Sequence, residues 1–271
     1  VPIIMLTAVE DDIDLQIEAL RLGENDFLTK PVHYAAFQAI LQTTLNLRKA
    51  QLLLNDRTLL LEDEVQKATK SLKDSEHETL QILGKSAEYK DSETSAHTVR
   101  VAHYCKVLAK AVGLNEKIQD VVFHASPLHD LGKVGIEDKI LLKPGKLDDD
   151  EFEIMKTHAR IGYDILKWSK SGYLKAGAVI SYSHHEKFDG SGYPLGLSGE
   201  RIPILGRIVA VADVFDALTS VRPYKNAWSI EDACKFLIEE KGKHFDPNLI
   251  DLFMENLDEM KSIKSKFIDE E

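Results

Sequence analysis

The chain has 271 residues, of which 44% are hydrophobic and 29% charged, a balance typical of globular proteins. No apolar run approaches the roughly 18 residues that a membrane span needs, so no membrane span is expected. The two cysteines, Cys105 and Cys234, do not have the spacing of a metal-binding pair. They are typical of buried thiols in a cytoplasmic protein. The net charge of −11 disfavours long nucleic acid as a partner and still permits a small anionic ligand.

The first 48 residues predict a small α/β segment. Residues 1–8 and 27–31 resemble short buried strands, and 10–22 and 33–47 have apolar residues at helical spacing. The order strand, helix, strand, helix favours a parallel pair of strands. With Thr7 after one strand and Lys30-Pro31 after the other, the segment resembles the last third of a receiver domain, in which these residues contact a phosphorylated aspartate. That aspartate is expected before Val1; the alternative is a small remnant that only packs on its neighbour.

Residues 49–92 predict a long linker helix, since they contain no proline and a single glycine, Gly84. Apolar and small residues recur at alternating four- and three-residue steps: Leu54, Thr58, Leu61, Val65, Ala68, Leu72, Ser75, Thr79 and Ile82. Such a heptad seam favours a parallel coiled coil and therefore a homodimer through this helix. The alternative is a single amphipathic helix that lies on the domain that follows it.

Residues 93–271 predict an all-α domain, so the fold class of the chain is mainly α. Helices are expected at about 93–112, 116–130, 148–169, 172–187, 203–220, 229–240 and 246–260, with glycines and prolines between them. No alternating strand pattern interrupts them. The expected division is therefore 1–48, 49–92 and 93–271.

Histidines and carboxylates are spread over several of these helices in a pattern that indicates a metal site. They are Glu93 with His97 one helical turn later, His129-Asp130, His158, His184-His185 and Asp213. If His184 and His185 were helical, their side chains would diverge by about 100° and approach one cavity from two sides. Each residue alone is more often structural, but helical bundles build metal sites from such a set. Nitrogen and oxygen donors without thiolate favour iron or manganese, with zinc as an alternative.

The order of these motifs resembles the HD-GYP family of HD phosphohydrolases. His129-Asp130 with Gly132-Lys133 matches the HD signature, and residues 184–200 match the extended HHE-x-F-D-G-x-G-Y-P motif. Val211-Ala212-Asp213 and Arg222-Pro223-Tyr224-Lys225 stand where that family has its later motifs. The resemblance covers about residues 90–250 and implies a cyclic di-GMP phosphodiesterase with two or three metal ions, commonly iron.

The resemblance also implies a role for each residue of the site. The metal ligands would be His97, His129, Asp130, His158, His184, His185 and Asp213, with Asp130 bridging two metals and Glu93 at a third. Lys133 would meet the scissile phosphate, and Arg222 and Lys225 the other phosphate or a guanine. The loop that contains Gly192 and Tyr193 would shape the guanine side of the pocket; the alternative is a connecting turn or a contact surface for a diguanylate cyclase.

The predicted function is therefore hydrolysis of cyclic di-GMP to pGpG, and further to GMP, in bacterial second-messenger signalling. A hydroxide that bridges the two metals would attack the phosphate. The alternative is a metal-bound cyclic di-GMP receptor or interaction module with little turnover, suggested by Phe215 at a position where the family often has tyrosine. A third hypothesis is an HD enzyme that acts on another phosphoester.

Overall fold

The computed structural model describes residues 3–8, 17–18, 21, 26–89, 95–221 and 226–268. It divides into two compact units, Val1–Lys73 and Asp74–Glu271. The division falls inside one long helix, so the three-part division at residues 48 and 92 stays a prediction. Among the described residues, no helix combines the length and the apolar character that crossing a lipid bilayer requires.

The first unit contains a parallel pair of strands, as the sequence predicts. Strand β1 is Ile4–Thr7 and strand β2 is Asp26–Thr29, with Thr7 opposite Thr29 in the register. Of the helix predicted at 10–22, only residues 17, 18 and 21 are described, and these are helical. The rest of that prediction lies outside the described residues.

Helix α1, Tyr34–Glu88, is continuous over 55 residues. The helices predicted at 33–47 and 49–92 are therefore one element, because neither glycine nor proline interrupts the chain between Pro31 and Gly84. Within the second unit, α1 presents two opposite faces. Leu80 is 2% exposed, whereas Ile82, about 200° away around the helix axis, is 56% exposed.

Helices are the main regular elements among the described residues of the second unit, apart from an isolated bridge between Lys241 and Phe245, which confirms the mainly α fold class. Its helices are α2 Ser95–Ala111, α3 Glu116–Ala125, α4 Asp138–Leu141, α5 Asp149–Leu166, α6 Gly172–Ser181, α7 Ile204–Thr219, α8 Ile230–Glu239, α9 Pro247–Glu255 and α10 Leu257–Lys266. Short 3₁₀ helices occupy Ser126–Leu128, Leu131–Gly135 and Gly199–Arg201. Side-chain caps fix several helix starts, among them a capping box between Asp148 and Glu151 at α5.

The core of this unit forms around α7, whose apolar run is buried on nearly all sides. Ile208, Val209 and Val211 are fully buried and belong to one cluster with residues of α2 and α9. A helix that is apolar all round must be central. Because α7 also contains Asp213, its central position places a carboxylate next to the helices that surround it.

The end of α1 packs on the turn that leads into His129. Gly84 lies so close to Pro127 that an added Cβ would be 2.8 Å from the Pro127 Cβ and from its carbonyl oxygen. Leu80 and Ala87, on the same face, belong to a buried cluster with Leu128. The last turns of the linker helix therefore form part of the wall behind the His129-Asp130 segment.

Candidate metal centre

The described residues of the second unit bring five histidines and two aspartates together in two adjoining groups. One group contains Asp130, His158, His184 and His185; the other contains His97, His129 and Asp213. In each group one nitrogen or carboxylate oxygen per residue lies within 4.8 Å of the others. The residues come from α2, α5, α7 and two turns, so the fold assembles them from distant parts of the sequence.

Asp130 lies between the two groups. Its Oδ1 is 3.2 Å from His158 Nε2 and 3.5 Å from His184 Nε2, while its Oδ2 is 3.4 Å from His129 Nε2. In the second group, Asp213 Oδ1 is 3.5 Å from His97 Nε2 and 3.9 Å from His129 Nε2. A carboxylate whose two oxygens face two nitrogen clusters has the geometry of a bridging ligand.

Hydrogen bonds to the backbone fix how three of the imidazoles are oriented. Nδ1 of His129 donates to the Ser126 carbonyl (2.9 Å), that of His158 to Met155 (2.7 Å) and that of His184 to Ser181 (3.1 Å). Because a carbonyl only accepts, Nδ1 donates in each case, and Nε2 is directed towards the centre. Metal-binding histidines are oriented by this type of hydrogen bond.

Buried polar atoms at the centre fit a cation. Over the part of the chain that the structure describes, Nε2 of His129, His158 and His184 and Oδ1 of Asp130 are buried and form no hydrogen bond. Each buried polar atom without a partner lowers the free energy of unfolding by about 1–3 kcal/mol unless something binds it. Ligands about 2.0–2.2 Å from one metal lie about 3–3.6 Å apart, as these atoms do. The donor set therefore fits a metal ion, and nitrogen and oxygen ligands suit iron, manganese or zinc.

The electrostatics of the two groups favour a positive charge near His129. Burial lowers the pKa of His129, but the carboxylates of Asp130 and Asp213 outweigh it and raise this pKa to about 10. Burial and the neighbouring His184 hold the pKa of His185 well below its usual value. His185 is therefore neutral, which is the form that binds a metal.

His97 is oriented by a buried ion pair between Asp216 and Arg100, which the sequence analysis did not predict. His97 Nδ1 donates to Asp216 Oδ2 (2.8 Å), and Asp216 also accepts from Arg100 Nε (2.6 Å) and a second guanidinium nitrogen (2.8 Å). The pKa of Asp216 is lowered, because His97 and Arg100 outweigh the effect of burial. The sequence feature that could have revealed this ion pair is Asp216 itself, a second carboxylate in the apolar run of α7, three residues after Asp213.

The two adjacent histidines differ from the prediction. Helix α6 ends at Ser181 rather than at 187, so His184 and His185 lie in the turn that follows it. Their ring centroids are 3.9 Å apart, whereas helical neighbours would diverge. Locally, Ser183 N–H donates to Ile180 O three residues earlier (3.0 Å), which tightens the last turn, and His184 Nδ1 lies within hydrogen-bond distance of the Ile180 and Ser181 carbonyls at the end of α6 (3.2 and 3.1 Å). Both rings still reach the same group as Asp130.

The remaining predicted site residues divide into three sets. Lys133 lies at the centre, with Nζ 2.7 Å from Asp130 Oδ2. Tyr193 lies beside it, its ring centroid 4.7 Å from that of His185, while Gly192 packs against the backbone of 185–187. Glu93, Arg222 and Lys225 lie outside the described residues.

Phe215 is a core residue. Its side chain is fully buried and contacts Tyr104 and Phe253, with ring centroids 5.4 and 4.8 Å away. The sequence suggested that its missing hydroxyl affects ligand binding. Since the ring packs into the core instead, this residue gives no support to a receptor without turnover.

The fold and the site together define a helical domain built around a buried histidine–aspartate cluster that could bind metal. Residues 81–249 match the model of the HD domain family. The chain belongs to this family, which confirms the resemblance of residues 90–250 to HD phosphohydrolases, while the receiver resemblance of residues 1–48 stays a prediction. A solved structure of a cyclic GMP-AMP-specific phosphodiesterase from Vibrio cholerae has the same fold, with a TM-score of 0.52 and 21% identity over 68% of this chain and 50% of that one.

Several curated relatives cover most of the chain. The cyclic di-GMP phosphodiesterase response regulator RpfG of Xanthomonas campestris is 42% identical over 98% of this chain and 70% of its own length. A cyclic di-GMP phosphodiesterase of Thermotoga maritima is 38% identical over 99% of this chain and 75% of its own. The 3'3'-cGAMP-specific phosphodiesterase 2 of V. cholerae is 46% identical over 73% of this chain and 38% of its own.

Proposed function

We propose that this protein is a metal-dependent phosphodiesterase that hydrolyses cyclic di-GMP to pGpG, and further to GMP, in bacterial second-messenger signalling. The observation that carries the proposal is the Asp130 carboxylate between two histidine groups, with the Tyr193 loop beside them. The names of relatives at 38–42% identity over nearly the whole chain point to the same substrate.

In this proposal His158, His184 and His185 would hold one ion and His97, His129 and Asp213 another, with the Asp130 carboxylate available to both. When bound, two such ions would supply an activated water molecule and neutralise the phosphate oxygens. Nδ1 of His129, His158 and His184 bonds to a backbone carbonyl and that of His97 to Asp216, and these bonds orient the four rings at the site. Lys133 adds a positive charge where the phosphate charge grows in the transition state.

The first test is turnover of cyclic di-GMP by protein purified without oxygen and loaded with iron or manganese. We expect pGpG or GMP to be released, and His184→Ala to lose at least about 100-fold in rate because one ion loses a ligand. His33→Ala, which changes an exposed histidine outside the site, is the matched control and should retain wild-type turnover. Tight binding of nucleotide without product would instead favour a receptor.

A second substrate deserves the same assay, because the 3'3'-cGAMP-specific relative is 46% identical to this chain over 198 residues. Hydrolysis of 3'3'-cGAMP but not of cyclic di-GMP would assign the site to a different cyclic dinucleotide. Comparable hydrolysis of both would identify a phosphodiesterase of broader specificity.

Other parts of the proposal rest on the sequence patterns. They are iron as the metal with manganese as the alternative, two ions with Glu93 as a ligand of a third, and contacts of Arg222 and Lys225 with the nucleotide. They also include a receiver-like role of residues 1–48, a diguanylate cyclase as partner and a cytoplasmic location. Metal analysis of protein purified without oxygen tests the identity and the number of the ions.

A homodimer through α1 is also part of the proposal. The heptad residues Leu61, Val65 and Leu72 are 50–73% exposed, and Ile82 lies on the face opposite to the one buried in the chain's own domain. A helix that packs on its own domain through one face and pairs with a copy through the other would combine the two alternatives for the seam.

We expect light scattering at micromolar concentration to give about twice the 30.5 kDa mass of the chain. Leu61→Glu combined with Leu72→Glu should yield monomers, since charges in a heptad seam repel. Leu60→Glu changes an equally exposed leucine off the seam and should leave the dimer intact. A monomeric wild-type mass would contradict the dimer.

A further inference from the structure

The loop that follows the two histidines closes on a single buried carboxylate. Glu186 is 2% exposed. Its Oε1 accepts the backbone N–H of Leu195 (2.7 Å) and its Oε2 accepts that of Leu197 (2.9 Å). Hydrogen bonds from amides to a carboxylate are about twice as strong as those between neutral groups. The far side of the loop is therefore fastened to the residue that directly follows His185.

A second contact brings the middle of the loop back to the same place. Gly192 lies so close to the chain that an added Cβ would be 2.2 Å from Lys187 N and 2.5 Å from His185 O. The next residue, Tyr193, donates its N–H to His185 O (3.2 Å). Since backbone atoms cannot move aside as a flexible side chain can, only glycine permits this approach.

The folded loop fixes the Tyr193 ring beside the metal ligands. Its centroid is 4.7 Å from that of His185 and 6.4 Å from that of His158. On its other side lie Phe152, 6.4 Å away, and the Lys156 ammonium, 5.8 Å away. Tyr193 therefore forms a wall between the metal cluster and a cleft of about 260 Å³ lined by α5 and Pro194.

The base of the loop has separate anchors. Phe188 N donates to His244 O (3.1 Å), and Gly199 N donates to Phe188 O (2.8 Å). These bonds do not involve the Glu186 side chain, so its removal would release residues 195–197 while the ends of the loop stay in place.

We propose that Glu186 is a positioning residue that holds the Leu195–Leu197 segment, and through it the Tyr193 ring, as one wall of the nucleotide pocket next to the metal centre. The pocket and its nucleotide rest on the proposed function. Two parallel N–H groups need two acceptor oxygens, which a carboxylate supplies and an amide does not. Glutamine at this position would thus keep one bond and turn a donor towards the other N–H.

The test compares Glu186→Ala, Glu186→Gln and Glu200→Ala, the last being an exposed glutamate at the end of the same loop. Three quantities are measured on the full chain: bound metal per chain, hydrogen exchange of the Leu195 and Leu197 amides, and kcat and KM for cyclic di-GMP. In Glu186→Ala we expect unchanged metal content, loss of protection at both amides, and KM raised about tenfold or more with kcat within threefold. This is the effect of losing one or two hydrogen bonds to a charged group.

Glu186→Gln should keep protection at one of the two amides and give an intermediate KM, and Glu200→Ala should match the wild type. Wild-type protection of both amides in Glu186→Ala would overturn the anchoring role. A fall in metal content or in kcat with unchanged KM would overturn the pocket-wall role, since it would place Glu186 in the metal centre. If the wild type does not hydrolyse cyclic di-GMP, the proposed function fails, yet the exchange measurement still decides whether Glu186 anchors the loop.

Discussion

Asp130→Ala will remove bound metal and lower turnover of cyclic di-GMP by about 10³-fold or more. The Asp130 side chain is the one that faces both histidine groups, with oxygens 3.2–3.5 Å from the Nε2 atoms of His129, His158 and His184. Its loss deprives both proposed ions of a ligand and brings three imidazoles together without a carboxylate between them. Several kcal/mol of transition-state stabilisation depend on the ions, and each 1.36 kcal/mol corresponds to a tenfold change in rate.

In contrast to Asp130→Ala, Lys133→Ala should lower turnover without removing bound metal. Lys133 contacts Asp130 through its ammonium group, which cannot bind a cation, so the metal content should remain at the wild-type level. Turnover should still fall by about 10²–10³-fold, the usual cost of removing one charge-stabilising group. Both variants are measured for metal per chain and for product formation. Wild-type metal content in Asp130→Ala, or a wild-type rate in Lys133→Ala, would contradict the proposed roles.

Asp216→Ala will destabilise the second unit more than substitution of any proposed metal ligand. Arg100 is 1% exposed and its guanidinium donates twice to this carboxylate, at 2.6 and 2.8 Å. Removing one partner of a buried ion pair costs about 3–5 kcal/mol, because the other charge loses its compensation. For a unit of this size the melting temperature should fall by roughly 6–20 °C.

The measurement is denaturant unfolding of chelator-treated protein, so that loss of metal does not add to the effect. Ser220→Ala is the matched control, because this serine contacts both Arg100 (3.0 Å) and Asp216 (3.2 Å) without being charged. Arg100→Leu combined with Asp216→Leu should recover part of the stability, since no charge remains buried. A free energy of unfolding within about 1 kcal/mol of the wild type in Asp216→Ala would show that Arg100 finds another partner.

The sequence predicted which side chains meet in the candidate metal centre better than the backbone that carries them. The order and spacing of the motifs identified the seven histidines and aspartates of its two groups. The path of the chain through His184 and His185 was not predictable from helical periodicity, because the residues after Ser181 have no helix-breaking composition. At that end of α6, Ser183 N–H and the His184 side chain bond to the Ile180 carbonyl, and such contacts leave no mark on periodicity.

The roles of the residues that support the candidate centre could also not be predicted from the sequence. Glu186 was visible as a carboxylate within the extended motif and Asp216 as a second carboxylate in the apolar run of α7, but their roles depend on partners far away in the chain or on loop geometry. Asp216 reaches Arg100, 116 residues earlier, and Glu186 reaches amides of a loop whose fold no periodic pattern describes. Hydrophobic periodicity reports which face of a helix is buried. It does not report which polar groups meet once the helices have packed.

The contact between Gly84 and Pro127 gives the long helix a mechanical connection to the metal centre. Pro127 precedes the proposed bridging ligand by three residues, and the glycine leaves no side chain between the two backbones to absorb a displacement. A helix of 55 residues is about 80 Å long and shifts by about 1.5 Å for each residue of register. Metal–ligand distances tolerate only about 0.2 Å. If Asp130 binds metal as proposed, a displacement of α1 at Gly84 far smaller than one residue of register would exceed that tolerance.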